Sequence, residues 1–427
     1  MSETGHPTSW KLHTLKDVAR WGSGGTPKGR NPAYYGGPIP WAIIGDLNDG
    51  IMSGTAGSIT KEGLANSSAK VVPEGSVLIA MYGSIGKLGI NASPMATNQA
   101  IAFAIPDGEK ILRNYLFYYL MRERPKFIRE GKGATQQNIS QTILRPWPIP
   151  VPPLAEQKRI VEILEEQFSR LDAGLASIRT VREKAKAFRR SLLQAAFRGD
   201  LSVNGTVGWE ELRIKEILVP MPNGKLVGQG WSPQCEVGPS GDDEWGVLKT
   251  TAIQAGRFEP EHNKRLPASL QPRPDIEVKP GDLLITCAGP RKRCGVPCLV
   301  RATRGKLMLS GKMYRFRPDT KQIELSYLEY FLLSPRAQYD IDDMKTGISD
   351  SGLNLTHGRF FTLMVPVAPL AEQRRLVGMI EEQLSRVDNA LAIADELEAR
   401  FASERRSILH ATFAGTLTAQ WRETHNG

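Results

Sequence analysis

The chain has 427 residues, 41% hydrophobic and 23% charged, with 55 basic and 45 acidic side chains and a net charge of +10. Such a length implies about two to four domains, and the composition excludes a disordered or fibrous chain. No run of roughly 20 predominantly apolar residues offers a membrane helix. The start, MSETGHPTSW, lacks the basic and apolar regions of a secretory signal, and four cysteines at this length form no disulfide framework, so a cytoplasmic protein is expected. The basic excess lies in the first 366 residues; residues 367–427 are slightly acidic. A positive field of this kind raises encounter rates with polyanions and points to nucleic acid.

The first 152 residues read as a mixed α/β unit. Short β-rich runs such as Val77–Met81 are bounded by Gly, Pro, Asn and Asp, and a short helix is expected around Asn114–Arg122. Prolines in RPWPIPVPP (145–153) end the unit. A long helix follows. Leu164, Phe168, Leu171, Leu175, Ile178, Val181, Ala185, Phe188 and Leu192 recur at steps of three and four, close to a heptad seam. Gly199 stands where a helix C-terminus favours glycine. Gly174, mid-helix where the second long helix has Ala390, predicts a local bend. A second globular unit starts near Trp209, with β runs at Leu283–Cys287 and Met313–Phe316 and a helix around Ser326–Leu333. The prolines of MVPVAP (364–369) close it, and a second long helix runs towards Gly415.

The chain repeats itself. PPLAEQKRIVEILEEQFSRLDA (152–173) matches APLAEQRRLVGMIEEQLSRVDN (368–389), and RRSLLQAAFRGDL (189–201) matches RRSILHATFAGTL (405–417) at the same offset of 216; 23 of the 49 positions from 153 to 201 are identical. The similarity continues faintly upstream, where EGSVLIAMYGSIGKLG (74–89) matches PGDLLITCAGPRKRCG (280–295) and Trp41 corresponds to Trp245. The expected divisions are 1–152, 153–208, 209–367 and 368–427. A helix of this length with one apolar stripe needs a mate, and its own copy, packed antiparallel, supplies one. Packing of each helix on its adjacent globular unit is the alternative.

Catalytic motifs are imitated rather than present. Pro274-Asp275-Ile276-Glu277-Val278-Lys279 has the residues of a PD…ExK nuclease, but both carboxylates fall on one short segment with no turn between them. Gly305 to Gly311-Lys312-Met313 has the wrong spacing for a phosphate loop and Met where Ser or Thr must meet Mg²⁺. Cys235, Cys287, Cys294 and Cys298 lack paired CxxC spacing and read as structural thiols. No cofactor or metal site is expected, and the chain reads as non-catalytic.

Candidate DNA contacts lie on loops. Gly83–Gly89 and Gly289–Gly295 are both G-x₅-G turns after apolar strands; they carry Lys87 in one unit and Arg291, Lys292 and Arg293 in the other, with Lys87 aligned to Arg293. Such cations neutralise phosphate or pair with guanine. Lys132, Thr135, Gln136, Gln137 and Asn138, with Asn354 in the second unit, form a polar set able to read adenine edges. Lys28 and Arg30 form a third basic stretch. Ordinary turn and capping chemistry is the alternative reading for each of these loops.

The repeated layout, the PLAEQ entries to the long helices, the AFRGDL and ATFAGTL exits and the closing LTAQWRE (417–423) resemble the specificity subunit of type I restriction–modification systems. The resemblance implies two target-recognition domains, each reading half of an asymmetric bipartite DNA target, held apart by an antiparallel helical pair that sets the spacer. It also implies two methyltransferase (modification) subunits as partners, with Glu156, Gln157, Glu372 and Gln373 facing them, and restriction/translocase subunits as a further partner. S-adenosylmethionine, ATP and Mg²⁺ would then belong to those partners. A DNA-recognition subunit of another defence methyltransferase complex, or a stand-alone DNA-binding scaffold, uses the same layout.

Overall fold

The computed structural model describes residues 6–28, 31–131 and 138–425. They form two compact units: residues 1–178 with 395–427, and residues 179–394. The long helices contribute one half to each. The helices that matter below are α1 (Arg113–Glu130), α2 (Leu154–Arg198), α3 (Leu325–Leu333), α4 (Pro335–Asp343) and α5 (Leu370–Phe413). The expected helix from Leu154 to Arg198 is found at those residues. The helix expected at Asn114–Arg122 runs on to Glu130.

In the first unit, β1 (Ala19–Ser23), β2 (Ile51–Met52), β3 (Val77–Ala80), β4 (Leu88–Asn91) and β5 (Ile101–Pro106) form a sheet in the order β1-β5-β3-β4-β2. Strands β3 and β5 are antiparallel, with Ile101 opposite Ala80 and Ala104 opposite Val77. All four residues of β3 are fully buried, because the strand has a core on each face. The pleat sends Val77 and Ile79 to the core shared with α1 and α2, and Leu78 and Ala80 to a second core with Ala42, Met52 and Met95.

The second unit repeats this plan. β6 (Gly228–Gln229), β7 (Leu283–Thr286), β8 (Ala288–Gly289), β9 (Pro297–Leu299), β10 (Met313–Phe316) and β11 (Leu353–Asn354) include a sheet in the order β6-β10-β7-β9. Leu283 and Ile285 enter one core and Leu284 the other. The Trp41 correspondence with Trp245 also has a structural form. The strand holding Trp41 pairs parallel with Met95–Thr97, and the strand after Trp245 pairs parallel with Leu307–Met308.

Each unit seats the two long helices in its main core. In the first, Ile160, Leu164, Phe168 and Leu171 of α2 and Leu409 and Phe413 of α5 join the globular residues. The Phe413 ring packs edge-on against Tyr115 and Tyr119. In the second, Phe197 does the same against Tyr327 and Phe331. Burying side chains of this size stabilises by about 1.5–3 kcal/mol each. The helix halves also pack on each other, and their numbering runs in opposite senses. Arg405 pairs with Asp172 at 2.8 Å while Arg422, beyond α5, pairs with Glu156 at 2.5 Å. In the second unit Arg189 pairs with Asp388 and Arg375 donates to the Leu201 carbonyl. The two alternatives for the helices therefore hold together: antiparallel pairing and packing on the globular core. The seam is not evenly covered, since Val181, Phe188 and Leu397 are exposed.

The helix ends follow the sequence. Gly199 and Gly415 adopt φ of +84° and +76°, and Asp200 and Thr416 donate back to the Ala195 and Ala411 carbonyls. That closes each C-terminus with a left-handed glycine. Gly174 does not break α2; the helix is continuous through it. A Cβ there would stand 2.6 Å from the Phe401 ring, so the glycine admits that ring to the helix surface. The repeat has Ala390 for Gly174 and Ala185 for Phe401. Gly174→Ala is expected to lower stability by about 1–3 kcal/mol through overpacking, despite better helix propensity. Adding Phe401→Ala should remove that clash, which thermal unfolding of the single and double variants checks.

Candidate nucleic-acid interface

The same frame is built in both units where the central strand leaves the sheet. In the first, Ile139 donates to the Met81 carbonyl at 2.9 Å, and Tyr82 forms a bridge with Asn138. In the second, Leu355 donates to Cys287 at 2.8 Å, and β8 pairs with β11, Ala288 opposite Asn354. The G-x₅-G turn and the polar loop, separate candidates by sequence, are thus neighbours. Positive φ at Gly83 and Gly86 (62° and 77°) and at Gly289 and Gly295 (141° and 83°) lets each turn fold back tightly.

Within this frame the expected residues part company. Lys292 and Asn354 are exposed, as is Lys28 in the first unit, and Asn138 is half-buried at its bridge. Lys292 has no ion pair among the described residues. Arg291 is held by Asp342 at 2.6 Å and Asp350 at 3.1 Å. Arg293 requires correction: its guanidinium turns inward, donating to the Thr250 and Ile253 carbonyls and to Gln254 Oε1. Partial burial holds its pKa below the usual arginine value. Lys87 behaves alike, reaching back to the Ile44 carbonyl at 3.4 Å. Both cations tie a basic turn to a neighbouring 3₁₀ turn, Arg293 through three hydrogen bonds and Lys87 through one. Arg30, Lys132, Thr135, Gln136 and Gln137 lie outside the described residues.

Of the four residues expected to face a partner, Glu156, Gln157 and Gln373 are buried within the fold, which corrects the expectation for them, and Glu372 is half-buried. Gln157 is fully buried; its Oε1 accepts from Leu112 N, and its Nε2 donates to the Lys110 and Pro152 carbonyls. Gln373 repeats this with Glu324 N and the Gln322 and Ala368 carbonyls. Glu156, also buried, accepts from Trp10 Nε1, Thr418 Oγ1 and Arg422 Nη1. Glu372 is held by Arg375, which with Ser202 lowers its pKa. The PLAEQ motif is a clamp between helix and globular unit. A polar side chain that satisfies two or three backbone groups in a dry core is expensive to replace, which explains its identity in both copies.

A surface feature was missed. Within the repeated helices, the middle stretches 177–188 and 393–404 share no identical position, whereas the flanks are well preserved. Several of the identical flank residues are exposed in both copies: Glu165/Glu381, Glu166/Glu382, Ser169/Ser385 and Arg170/Arg386. Each unit has a hollow beside them, of about 370 Å³ in the first and 930 Å³ in the second. Both are lined by the matching set Tyr118/Tyr330, Glu165/Glu381, Ser169/Ser385, Asp172/Asp388 and Arg405/Arg189. The signal was available in the sequence as identity at positions outside the heptad seam.

The catalytic imitations have structural duties. Glu277 Oε1 accepts from Lys306 N, and the carbonyls of Asp275 and Glu277 hold the buried Arg315. Cys287, Cys294 and Cys298 are buried, and desolvation pushes the Cys287 and Cys298 thiols up to about 11 and about 12. Such thiols stay protonated near neutral pH. Among the described residues, no group of His, Cys, Asp and Glu is arranged to hold a metal ion, and no helix is long and apolar enough to cross a membrane.

The fold and frame define a duplicated recognition module whose halves are each seated on paired helices. A family model described as type I restriction modification DNA specificity domain matches residues 7–177. The type I restriction enzyme EcoKI specificity subunit of Escherichia coli K12 is 25% identical over 441 aligned residues, covering 97% of this chain and 91% of that protein. The EcoEI specificity subunit of Escherichia coli is 36% identical over 211 residues, 49% of this chain and 33% of that protein, so the match spans about a third of its length. Among solved structures, a chain from work on complex assembly and conformational transition of the type I R-M system shares the fold, with a TM-score of 0.72, 19% identity and coverage of 96% and 99%. The HsdS subunit from Thermoanaerobacter tengcongensis has a TM-score of 0.50 at 19% identity, with coverage of 96% and 98%. The resemblance seen in the repeat is borne out: residues 7–177 match the type I restriction modification DNA specificity domain.

Arg293→Ala is expected to lower the melting temperature, because it strands buried carbonyls at about 1–3 kcal/mol. Lys292→Ala should leave melting unchanged, weaken binding to all duplexes alike and reduce the salt slope by about one. Melting curves and titrations at several salt concentrations separate the two.

Proposed function

We propose that this chain is the non-catalytic DNA-recognition subunit of a type I restriction–modification complex, each globular unit reading one half of a bipartite, asymmetric target. The observation that carries this reading is the common frame with unlike contents. The Tyr82–Asn138 bridge and the Ala288–Asn354 pairing stand at equivalent places beside the central strand, while the sequences leading into them, GKGATQQN (131–138) and KTGISDSGLN (345–354), differ. A repeated scaffold with diverged tips suits two readers of two sequences. The relatives named above, all subunits of type I restriction enzymes, speak against a free-standing scaffold. The helical pair acts as the spacer, and its diverged middle is the part free to vary. S-adenosylmethionine, ATP and Mg²⁺ belong to the other subunits. Exchanging residues 1–152 for another recognition domain should change one half of the methylated target and leave the other intact, read by mapping methylated sites in the host. A change in both halves would overturn the two-reader model.

Two methyltransferase subunits dock on the twice-built surface around Ser169 and Ser385. Exposed residues are under no packing demand, so their identity in both copies fits two contacts with one kind of partner. In each copy an ion pair is displayed beside the serine, Glu166–Arg170 and Glu382–Arg386. With the co-expressed methyltransferase subunit, Ser169→Arg or Ser385→Arg alone should reduce the bound copies from two to one, and the double variant to none, measured as complex mass in solution. Full occupancy of the double variant would remove this surface from the interface.

A further inference from the structure

Among the hydrophobic side chains of the second unit that stand fully in solvent are Val237 and Ile348. Ile348 is 107% exposed, at the tip of the hairpin between Thr346 and Asn354. The hairpin is not a loose loop. At its neck Thr346 N donates to Asn354 O at 2.8 Å, and Asn354 N donates to Thr346 O at 2.7 Å. Gly347 has φ +155°, and a Cβ there would stand 2.7 Å from the Gly352 carbonyl and 2.8 Å from the Leu353 side chain. Leu353 and Leu355 anchor the base in the core. One flank is pinned by Arg291, whose N–H donates to the Asp350 carbonyl at 2.9 Å and whose Nε meets the Asp350 carboxylate at 3.1 Å. Across the tip, Gly352 N donates to the Ser349 carbonyl, and the Ser349 and Ser351 hydroxyls lie 2.9 Å apart. A closed neck therefore holds a β-branched apolar residue in water.

The surroundings specify what Ile348 meets. Asp342 and Asp350 are neutralised by Arg291 and Lys345, which leaves Lys292, next to Arg291, as an exposed cation with no ion pair among the described residues. The tip thus combines one apolar group with two hydroxyls, the exposed Asn354 and one available ammonium. A single isoleucine is far too small for a protein interface, which takes roughly 800 Å² per partner. It is the right size for one methyl group on a base edge. In the DNA major groove that group is the thymine C5-methyl, flanked by base acceptors for hydroxyls and by phosphate for lysine. We propose that Ile348 is a specificity-determining residue that reads a thymine methyl in the half-site of the second unit. The proposal rests on the DNA-recognition reading above and adds a residue and a base to it.

The test uses the full-length chain and selection from randomised DNA duplexes. The wild-type chain should select a two-part motif. Ile348→Ser should lose the preference for thymine at one position of one half, with the other half unchanged. Deoxyuridine in place of that thymine removes only the methyl; it should weaken wild-type binding about fourfold and leave Ile348→Ser indifferent. Ile348→Val should keep part of the preference. Because the side chain is exposed, all variants should melt with the wild type. An unchanged motif for Ile348→Ser, or wild-type binding blind to deoxyuridine, would overturn the assignment while the DNA reading stands. A wild-type chain that selects no motif would overturn the DNA reading itself.

Discussion

A one-sided helix of 45 residues, about 65 Å long, has no stable existence alone in water, and the rest of the molecule follows from how that constraint is met. Each globular unit takes one end of α2 and the opposite end of α5 into its core. The aromatic seats of Phe413 and Phe197 supply the apolar part. Gln157 and Gln373 supply the polar part, each satisfying three backbone groups of the globular unit and helix entry.

Gene duplication makes the chain its own control. Positions that hold helix to core, such as Gln157, Phe197 and their copies, are identical because a dry polar or aromatic seat tolerates little change. Positions in the helix middle differ throughout, since a thinly covered seam asks only for compatible volume. Loop tips differ although the strand pairing beneath them is shared. The exposed identities around Ser169 and Ser385 fit neither packing nor divergence.

The packing of Gly174 shows how a local rule is overridden. Glycine within a helix is costly by propensity and suggested a bend. The helix instead continues through it, and the missing Cβ accommodates Phe401 from the facing helix of the pair. The cost in propensity is offset by the packing of a whole ring, a trade visible only once α5 is in place.

Read alone, the sequence determined what local rules govern: the repeat, the extent of both long helices, their glycine C-caps, the central strands and the class of partner. Helical periodicity and capping act over a few residues, so they are written in the chain. Tertiary structure decided where each side chain is spent. Arg293 is a basic loop residue like Lys292, yet it is consumed by carbonyls some 40 positions away. Glu156 sits at the start of an exposed-looking motif, yet it is claimed by Arg422, 266 positions on. Such partners are absent from any local window, so which charges remain for DNA and which are absorbed by the fold is settled only when distant backbone is brought alongside.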